Sequence, residues 1–165
     1  MTKKLAALVM ALMMLLSVTA LAETADTSDW ETYNFEDAQL TISCPADMAA
    51  VELTDEQTEA GICCATAAAD GSLSMAVYCF DPEGATLADA QAEMETTEGY
   101  QCAANQVNGI DVVAFSTVAN ETAVLGCLVM GADGYVYQFM FMPTNDAGTQ
   151  MADQIISTLN VLKAE

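Results

Sequence analysis

Alternating apolar and polar residues predict two short strands near the start of the sequence. Leu40, Ile42 and Cys44 alternate with polar neighbours, and Pro45 ends this half-buried strand. The aromatic-rich segment 30–35 predicts another short strand just before it.

Further apolar runs predict a hairpin and then an antiparallel meander. The runs 62–68 and 73–80 flank Asp70-Gly71, a dipeptide that favours the positive φ of a tight hairpin turn. From Tyr100 onwards, four strands follow one another with turn dipeptides between them. These strands and turns are 101–107, Asn108-Gly109, 110–117, Ala119-Asn120, 122–130, Asp133-Gly134 and 135–142.

Two segments have helical periodicity. Thr86 and Asp89 resemble a capping box, and the helix that they begin is predicted to end near Gly99. The second helix is predicted over 146–159, with Thr144 or Asn145 available as its N-cap. The apolar positions that define the two helices are Leu87, Ala90 and Met94 in the first, and Ala147, Met151, Ile155 and Leu159 in the second. The acidic segment 54–60 predicts either one helical turn or a loop.

The last two strands of the meander decide the fold class. Segments 123–130 and 135–142 are apolar on both sides, whereas a sheet with one wet face would alternate apolar and polar residues. Both faces of the sheet therefore need a cover, and the two helices can supply one each. The pattern predicts an α+β three-layer sandwich, with an antiparallel sheet of about six to seven strands and helices on both faces.

The N-terminal segment has the three parts of an export signal. Lys3 and Lys4 precede an apolar run over 5–16, and Ala20-Leu21-Ala22 provides a small-x-small cleavage motif before Glu23. The apolar run is shorter than the roughly 20 residues that span a bilayer. We therefore expect a signal peptide over 1–22, cleaved after Ala22, and no membrane attachment after its removal.

Removal of the signal peptide determines the expected domain organisation, and export determines the expected location. Residues 23–29 are small and polar and read as a flexible leader, which leaves a single domain over 30–165. No cysteine follows the cleavage motif directly, so the pattern of a bacterial lipoprotein is missing. We expect a secreted or extracytoplasmic protein from a bacterial source.

The order of these elements resembles the PsbP-like superfamily. The resemblance lies in Cys44-Pro45-Ala46-Asp47-Met48 after an early strand, the Asp70-Gly71 hairpin, the mid-chain helix, and the Asp133-Gly134-Tyr135 strand before a helix ending in Ile155-Ile156-Ser157-Thr158-Leu159. It implies a small exported protein with a non-enzymatic binding or accessory role. It identifies neither a ligand nor a functional residue, since a fold does not determine a function.

Charge composition excludes several kinds of site and partner. The chain has 24 Asp and Glu residues, no His and no Arg, and its bases are Lys3, Lys4 and Lys163. Such a surface repels phosphate backbones and anionic lipids, which argues against nucleic acid as a partner. Without His there is no Ser-His or Cys-His nucleophile pair and no imidazole metal ligand. We expect no enzymatic activity and no cofactor, and we leave open whether the partner is a protein or a small molecule.

Six cysteines leave two interpretations open. They are Cys44, Cys63, Cys64, Cys79, Cys102 and Cys127. An exported chain can form disulfides, yet free cysteines also serve as small buried hydrophobes. Two-residue turns would place Cys63 opposite Tyr78 and Cys64 opposite Val77. They would also place Cys102 opposite Phe115 and Cys127 opposite Val112. Cys102 and Cys127 are then expected on opposite faces of the sheet. Zinc is disfavoured because adjacent cysteines point to opposite sides of a strand, and a catalytic thiol is disfavoured because cations are missing.

Clustered acids and aromatics supply the remaining candidates for a site. Asp55, Glu56 and Glu59, or Asp89, Glu93 and Glu95, are candidates for a carboxylate-based extracellular hydrolase, although such clusters usually form a solvated face. A third hypothesis is an acidic surface protein that binds divalent cations weakly, since the loop spacing of a defined calcium site is missing. Tyr100, Tyr135 and Tyr137 are candidates for a ligand groove, but their spacing favours core positions.

Overall fold

The computed structural model describes residues 27–119 and 122–162. Its elements in chain order are β1 (Trp30–Phe35), β2 (Leu40–Pro45), β3 (Met48–Ala50), α1 (Asp55–Glu59), β4 (Ile62–Ala68), β5 (Leu73–Phe80), α2 (Leu87–Thr96), β6 (Gln101–Val107), β7 (Ile110–Ala119), β8 (Thr122–Met130), β9 (Val136–Pro143), α3 (Asp146–Ser157) and β10 (Asn160–Val161). The expected signal peptide with its cleavage site, the first part of the leader, and Lys163 lie outside the described residues.

The strands form two antiparallel sheets. The larger sheet has seven strands in the order β3-β4-β5-β9-β8-β7-β6, and the smaller one has three in the order β1-β2-β10. The predicted α+β class and the seven-stranded antiparallel sheet are confirmed. The smaller sheet was not predicted, because its third strand has only two residues and pairs with β2 from the far end of the chain.

The turn dipeptides explain why the hairpins form where they do. Asn108 and Gly109 both have positive φ, at 50° and 83°, which fits the two central positions of a tight hairpin turn. This turn joins β6 to β7 and brings Cys102 opposite Phe115, as predicted. The prediction of a turn at Ala119-Asn120 was wrong. Ala119 pairs with Thr122 as part of the β7–β8 ladder, so Cys127 faces Ala114 and not Val112.

A β-bulge changes the predicted register of β4. Cys64 pairs with Val77 as expected, but Ile62 takes the position opposite Tyr78 that was predicted for Cys63. The extra residue fits because Gly61, with φ of 88°, accepts a hydrogen bond from the Cys79 amide at 2.8 Å. The register prediction for Cys63 was therefore wrong.

Alternate residues of the large sheet belong to two different hydrophobic clusters. In β8, Cys127 and Val129 lie in the first cluster, whereas Val124 and Leu128 lie in the second. Residues of the small sheet and of α3 complete the first cluster, among them Ile42 and Ile155, which are fully buried. Side chains of α2 pack against the second cluster, and they are Leu87, Ala90 and Met94.

Capping at both helix starts follows the prediction. The Thr86 hydroxyl accepts a hydrogen bond from the Asp89 amide, and the Asp89 carboxylate accepts one from the Thr86 amide at 2.8 Å. Asn145 caps α3 by accepting a hydrogen bond from the Gly148 amide at 2.9 Å. The short helix α1 has a capping box of its own at Thr54 and buries no residue.

Candidate ligand pocket

Two turns and two strand ends form an open hollow of about 430 Å³ at one end of the large sheet. We call it the aspartate–tyrosine pocket, and it is lined by Asp37, Cys79, Asp133, Tyr135 and Tyr137. Its volume falls in the range of small-molecule sites.

Strand pairing places one wall of the pocket. Cys79 near the end of β5 lies directly opposite Tyr137 near the start of β9. The Tyr137 ring is 6% exposed and packs edge-on against Phe35 with the ring centroids 5.7 Å apart. The ring is therefore fixed by the first hydrophobic cluster, while the hydroxyl reaches the pocket.

The Asp133 carboxylate is held in place by its neighbours. One oxygen accepts a hydrogen bond from the Tyr135 amide at 3.1 Å, and the other accepts one from the Tyr137 hydroxyl at 2.8 Å. A Cβ added at Gly131 would collide with this carboxylate and would come within 2.9 Å of the Tyr137 ring. Glycine at 131 is what allows the turn to close around Asp133.

Asp37 reaches the pocket because a backbone hydrogen bond joins its turn to the turn before β9. Ala132 donates a hydrogen bond to the Ala38 carbonyl at 2.9 Å, which fixes the turn between β1 and β2 beside the turn before β9. Within the first turn, Gln39 has a φ of 53° and donates to the Glu36 carbonyl at 3.1 Å. The pocket therefore combines residues that are about one hundred positions apart in the sequence.

The pocket contains the carboxylates of Asp37 and Asp133 and the protonated hydroxyl of Tyr137. Burial raises the pKa of the Tyr137 hydroxyl well above its ordinary value, and its hydrogen bonds with Asp133 and Cys79 raise it further. Tyr137 therefore stays protonated and continues to donate to Asp133. Residues 27–162 include no Lys, Arg or His, so no side chain of the described region neutralises Asp37 or Asp133.

The prediction of a core position was wrong for Tyr135. This side chain is 43% exposed and lines the pocket, because the strand begins only at Val136 and Tyr135 still belongs to the turn. Tyr137 is buried, and Tyr100 is half-buried against Phe115 with ring centroids 6.2 Å apart. Tyr135 and Tyr137 are thus the two predicted aromatics that belong to a hollow.

Most of the cysteines lie in or against the hydrophobic clusters. All six are free thiols in the structure. Cys44 and Cys127 are fully buried, and burial raises the pKa of each thiol to about 12. Cys63 at the bulge is exposed and donates to the Val77 carbonyl at 3.4 Å, yet the pKa of its thiol is raised to about 11, chiefly by desolvation.

The remaining three thiols also lie against the hydrophobic clusters. Cys64 and Cys79 pack against the first cluster, and Cys102 packs against the second. Burial also raises the pKa of Cys64 and Cys102. A thiol with a raised pKa is a poor nucleophile at neutral pH. Disulfide formation after export stays a prediction.

The acidic clusters chosen from the sequence do not line the pocket. Asp55, Glu56 and Glu59 are exposed on α1. On α2, Asp89 is used for capping, where hydrogen bonds from Thr86 lower the pKa of its carboxyl. Glu93 and Glu95 are exposed, and Glu95 accepts a hydrogen bond from the Gln91 side chain at 2.8 Å. Within 27–119 and 122–162, no three Cys, Asp or Glu side chains come together as a ligand set for a metal ion.

A second hollow, of about 330 Å³, lies near the N-terminus of α3. Three of its polar side chains, Thr144, Asn145 and Thr149, are bonded within the fold. The Asn145 side chain caps the helix, and the Thr144 hydroxyl donates to the Gly71 carbonyl at 3.1 Å.

Asp37 and Asp133 were missed as site residues in the sequence. Asp133 was interpreted only as part of a turn dipeptide, although Asp133, Tyr135 and Tyr137 have the spacing that places residues on one side of an extended chain. Asp37 has no comparable signal, since it joins the pocket only through the backbone contact between Ala132 and Ala38.

Comparisons with known proteins identify the fold. No protein-family model matches the chain, and no curated protein sequence matches it significantly. The solution structure of cyanobacterial PsbP (CyanoP) from Synechocystis sp. PCC 6803 matches with a TM-score of 0.61 and 14% identity, over 87% of this chain and 98% of that chain. A crystal structure from Bacteroides thetaiotaomicron matches with a TM-score of 0.55 and 14% identity, over 82% of this chain and 49% of that chain.

These matches show that the chain has a PsbP-like fold, as the sequence predicted. LpqN, involved in cell envelope biogenesis of Mycobacterium tuberculosis, has a TM-score of 0.46 at 13% identity, over 80% of this chain and 90% of that chain. No helix in the described part of the chain is long and apolar enough to cross a membrane.

Proposed function

We propose that the protein is an extracytoplasmic binding or accessory domain, without catalytic activity of its own, that acts through the aspartate–tyrosine pocket. The observation that carries this proposal is the construction of that pocket. Three separate parts of the chain meet there, and Gly131 and Tyr137 hold the Asp133 carboxylate in a defined position.

Several further observations support a binding role. The PsbP-like fold is shared with CyanoP, and the N-terminal pattern is that of an exported protein cleaved after Ala22. The raised pKa values of the buried thiols and the exposed positions of the acidic clusters argue against both catalytic alternatives. We infer that the two hydrophobic clusters make the domain a three-layer sandwich, with α2 and α3 on opposite faces of the large sheet.

The test uses the protein exported from a bacterial host. An intact mass beginning at Glu23 is expected, and alkylation with and without reduction counts its disulfides. Amide chemical shifts are then followed by NMR during titration with neutral sugars, amino acids, organic anions and cations. We expect at least one compound to shift a set of amides centred on 37–39 and 131–137.

Two results would contradict the proposal. Shifts that map elsewhere, or no shift for any compound, would remove the pocket as the binding site. Turnover of ester, glycoside or phosphate substrates that stays with the protein through purification would identify an enzyme.

A second function is favoured by one specific observation. Every ionised side chain in residues 27–162 is a carboxylate. A protein of this composition attracts divalent cations over its whole surface without a defined site. Diffuse binding of this kind is expected to raise the melting temperature with divalent salts beyond the effect of equal ionic strength.

A further inference from the structure

We propose that the aspartate–tyrosine pocket binds small organic cations, of the kind that carry an ammonium or guanidinium group. The inference rests on the proposed binding function and adds the chemical class of the ligand.

The charge of the pocket selects for a cation. Asp37 and Asp133 line it, and residues 27–162 supply no cationic side chain to either of them. The two hydrogen bonds to Asp133 come from uncharged donors, the Tyr135 amide and the Tyr137 hydroxyl, so neither donor brings a positive charge to the pocket. An anionic ligand would meet two carboxylates and no positive charge.

The aromatic surface favours an organic cation. Tyr135 is 43% exposed at the rim and supplies the accessible ring, since Tyr137 is only 6% exposed. The face of an aromatic ring attracts ammonium and guanidinium groups, and the attraction grows as the cation loses water. A carboxylate beside a tyrosine ring offers such a cation both a hydrogen-bond acceptor and an apolar contact surface.

The ligand set disfavours a metal ion at the same place. Calcium takes six or more oxygen ligands, and magnesium demands a nearly ideal octahedron. The described residues bring no three Cys, Asp or Glu side chains together for this purpose. A hollow of about 430 Å³ also exceeds what a single ion needs.

Calorimetric and NMR titrations with choline and agmatine test the inference. The neutral carbon isostere of choline, dimethylbutanol, separates charge from shape, and magnesium chloride at equal ionic strength separates a specific site from general attraction. We expect choline or agmatine to bind at the pocket amides, and dimethylbutanol and magnesium to leave those amides unshifted.

Three variants assign the binding to the pocket. Asp133→Asn keeps the size of the side chain and one of its two acceptor oxygens and removes the charge, and we expect the affinity to fall about tenfold. Tyr135→Leu changes an exposed ring with no side-chain hydrogen bond described for it, so the fold is kept, and we expect a loss of about threefold. Asp111→Asn is the matched control, because Asp111 is exposed on β7 and bonds to Gln106 away from the pocket.

The outcomes separate this inference from the function on which it rests. Equal binding of dimethylbutanol, equal shifts with magnesium, or an equal loss in Asp111→Asn would overturn the organic-cation inference. If neutral or anionic compounds shift the pocket amides and both cations do not, the inference fails while the binding function stands. If no compound shifts those amides, both fail.

Discussion

Burial in the fold opposes the ionisation of the Asp153 carboxyl group. It lies half-buried on α3, and desolvation raises the pKa of its carboxyl to about 6. Its unfolded value is near 4, so the folded state holds the proton more tightly than the unfolded state does. The resulting stabilisation is complete below about pH 4 and is lost as the pH rises through about 6.

Asp153→Asn is therefore expected to stabilise the protein at neutral pH. The amide keeps the size of the side chain and removes the cost of a half-buried charge, so the free energy of unfolding should rise by roughly 1 to 3 kcal/mol at pH 7. Urea denaturation at pH 7 and at pH 4 measures this, and the gain should disappear at the lower pH. Glu98→Gln removes the same charge from an exposed position. An equal gain in that control would attribute the effect to net charge alone.

The N-caps of α1 and α2 differ in how much packed structure depends on them. Thr86 begins α2, whose apolar side chains pack against the second hydrophobic cluster. Thr54 begins α1 with a capping box of the same kind, but α1 has five residues and none of them is buried. Loss of the first cap loosens packed structure, whereas loss of the second frays a turn on the surface.

These two caps form a matched pair for mutation. Thr86→Ala is expected to lower the free energy of unfolding by about 1 kcal/mol, the usual cost of a lost N-cap. Thr54→Ala should lower it by much less, since α1 can open without exposing any of the core. The two changes are compared by the midpoint of urea denaturation. A larger loss in Thr54→Ala would show that α2 does not contribute to the cooperative core.

The sequence predicted the features that depend on neighbouring residues and missed those that depend on residues far apart in the chain. The turns at Asp70-Gly71 and Asn108-Gly109 and both helix starts depend on neighbouring residues, so the sequence was enough to predict them. The small sheet depends on pairing between β2 and the far end of the chain, and the bulge at Cys63 depends on a contact between Gly61 and Cys79. Tyr135 and Tyr137 were candidates for a ligand groove but were assigned to the core, and Asp37 joins the pocket only through tertiary packing.

The whole molecule is dominated by carboxylates without counter-charges. The full chain has a net charge of −21, and loss of the expected signal peptide removes two of its three lysines. Repulsion among these charges opposes the compact state, and dissolved salt weakens it. Stability should therefore rise with sodium chloride between about 10 mM and about 150 mM, over which the Debye length falls from roughly 30 Å to roughly 8 Å.

Melting temperatures in divalent and monovalent salts distinguish screening of the charges from binding of divalent cations. If charge density alone acts, magnesium and calcium chloride should raise the melting temperature no more than sodium chloride at equal ionic strength. Diffuse cation binding, the second candidate function, requires an additional rise that grows with divalent concentration, because a ligand that prefers the folded state stabilises it. Asp133→Asn sharpens the comparison, since diffuse binding is spread over the surface and should survive the loss of one carboxylate. An additional rise that this single variant abolishes would instead place a metal ion in the aspartate–tyrosine pocket and exclude the organic-cation assignment.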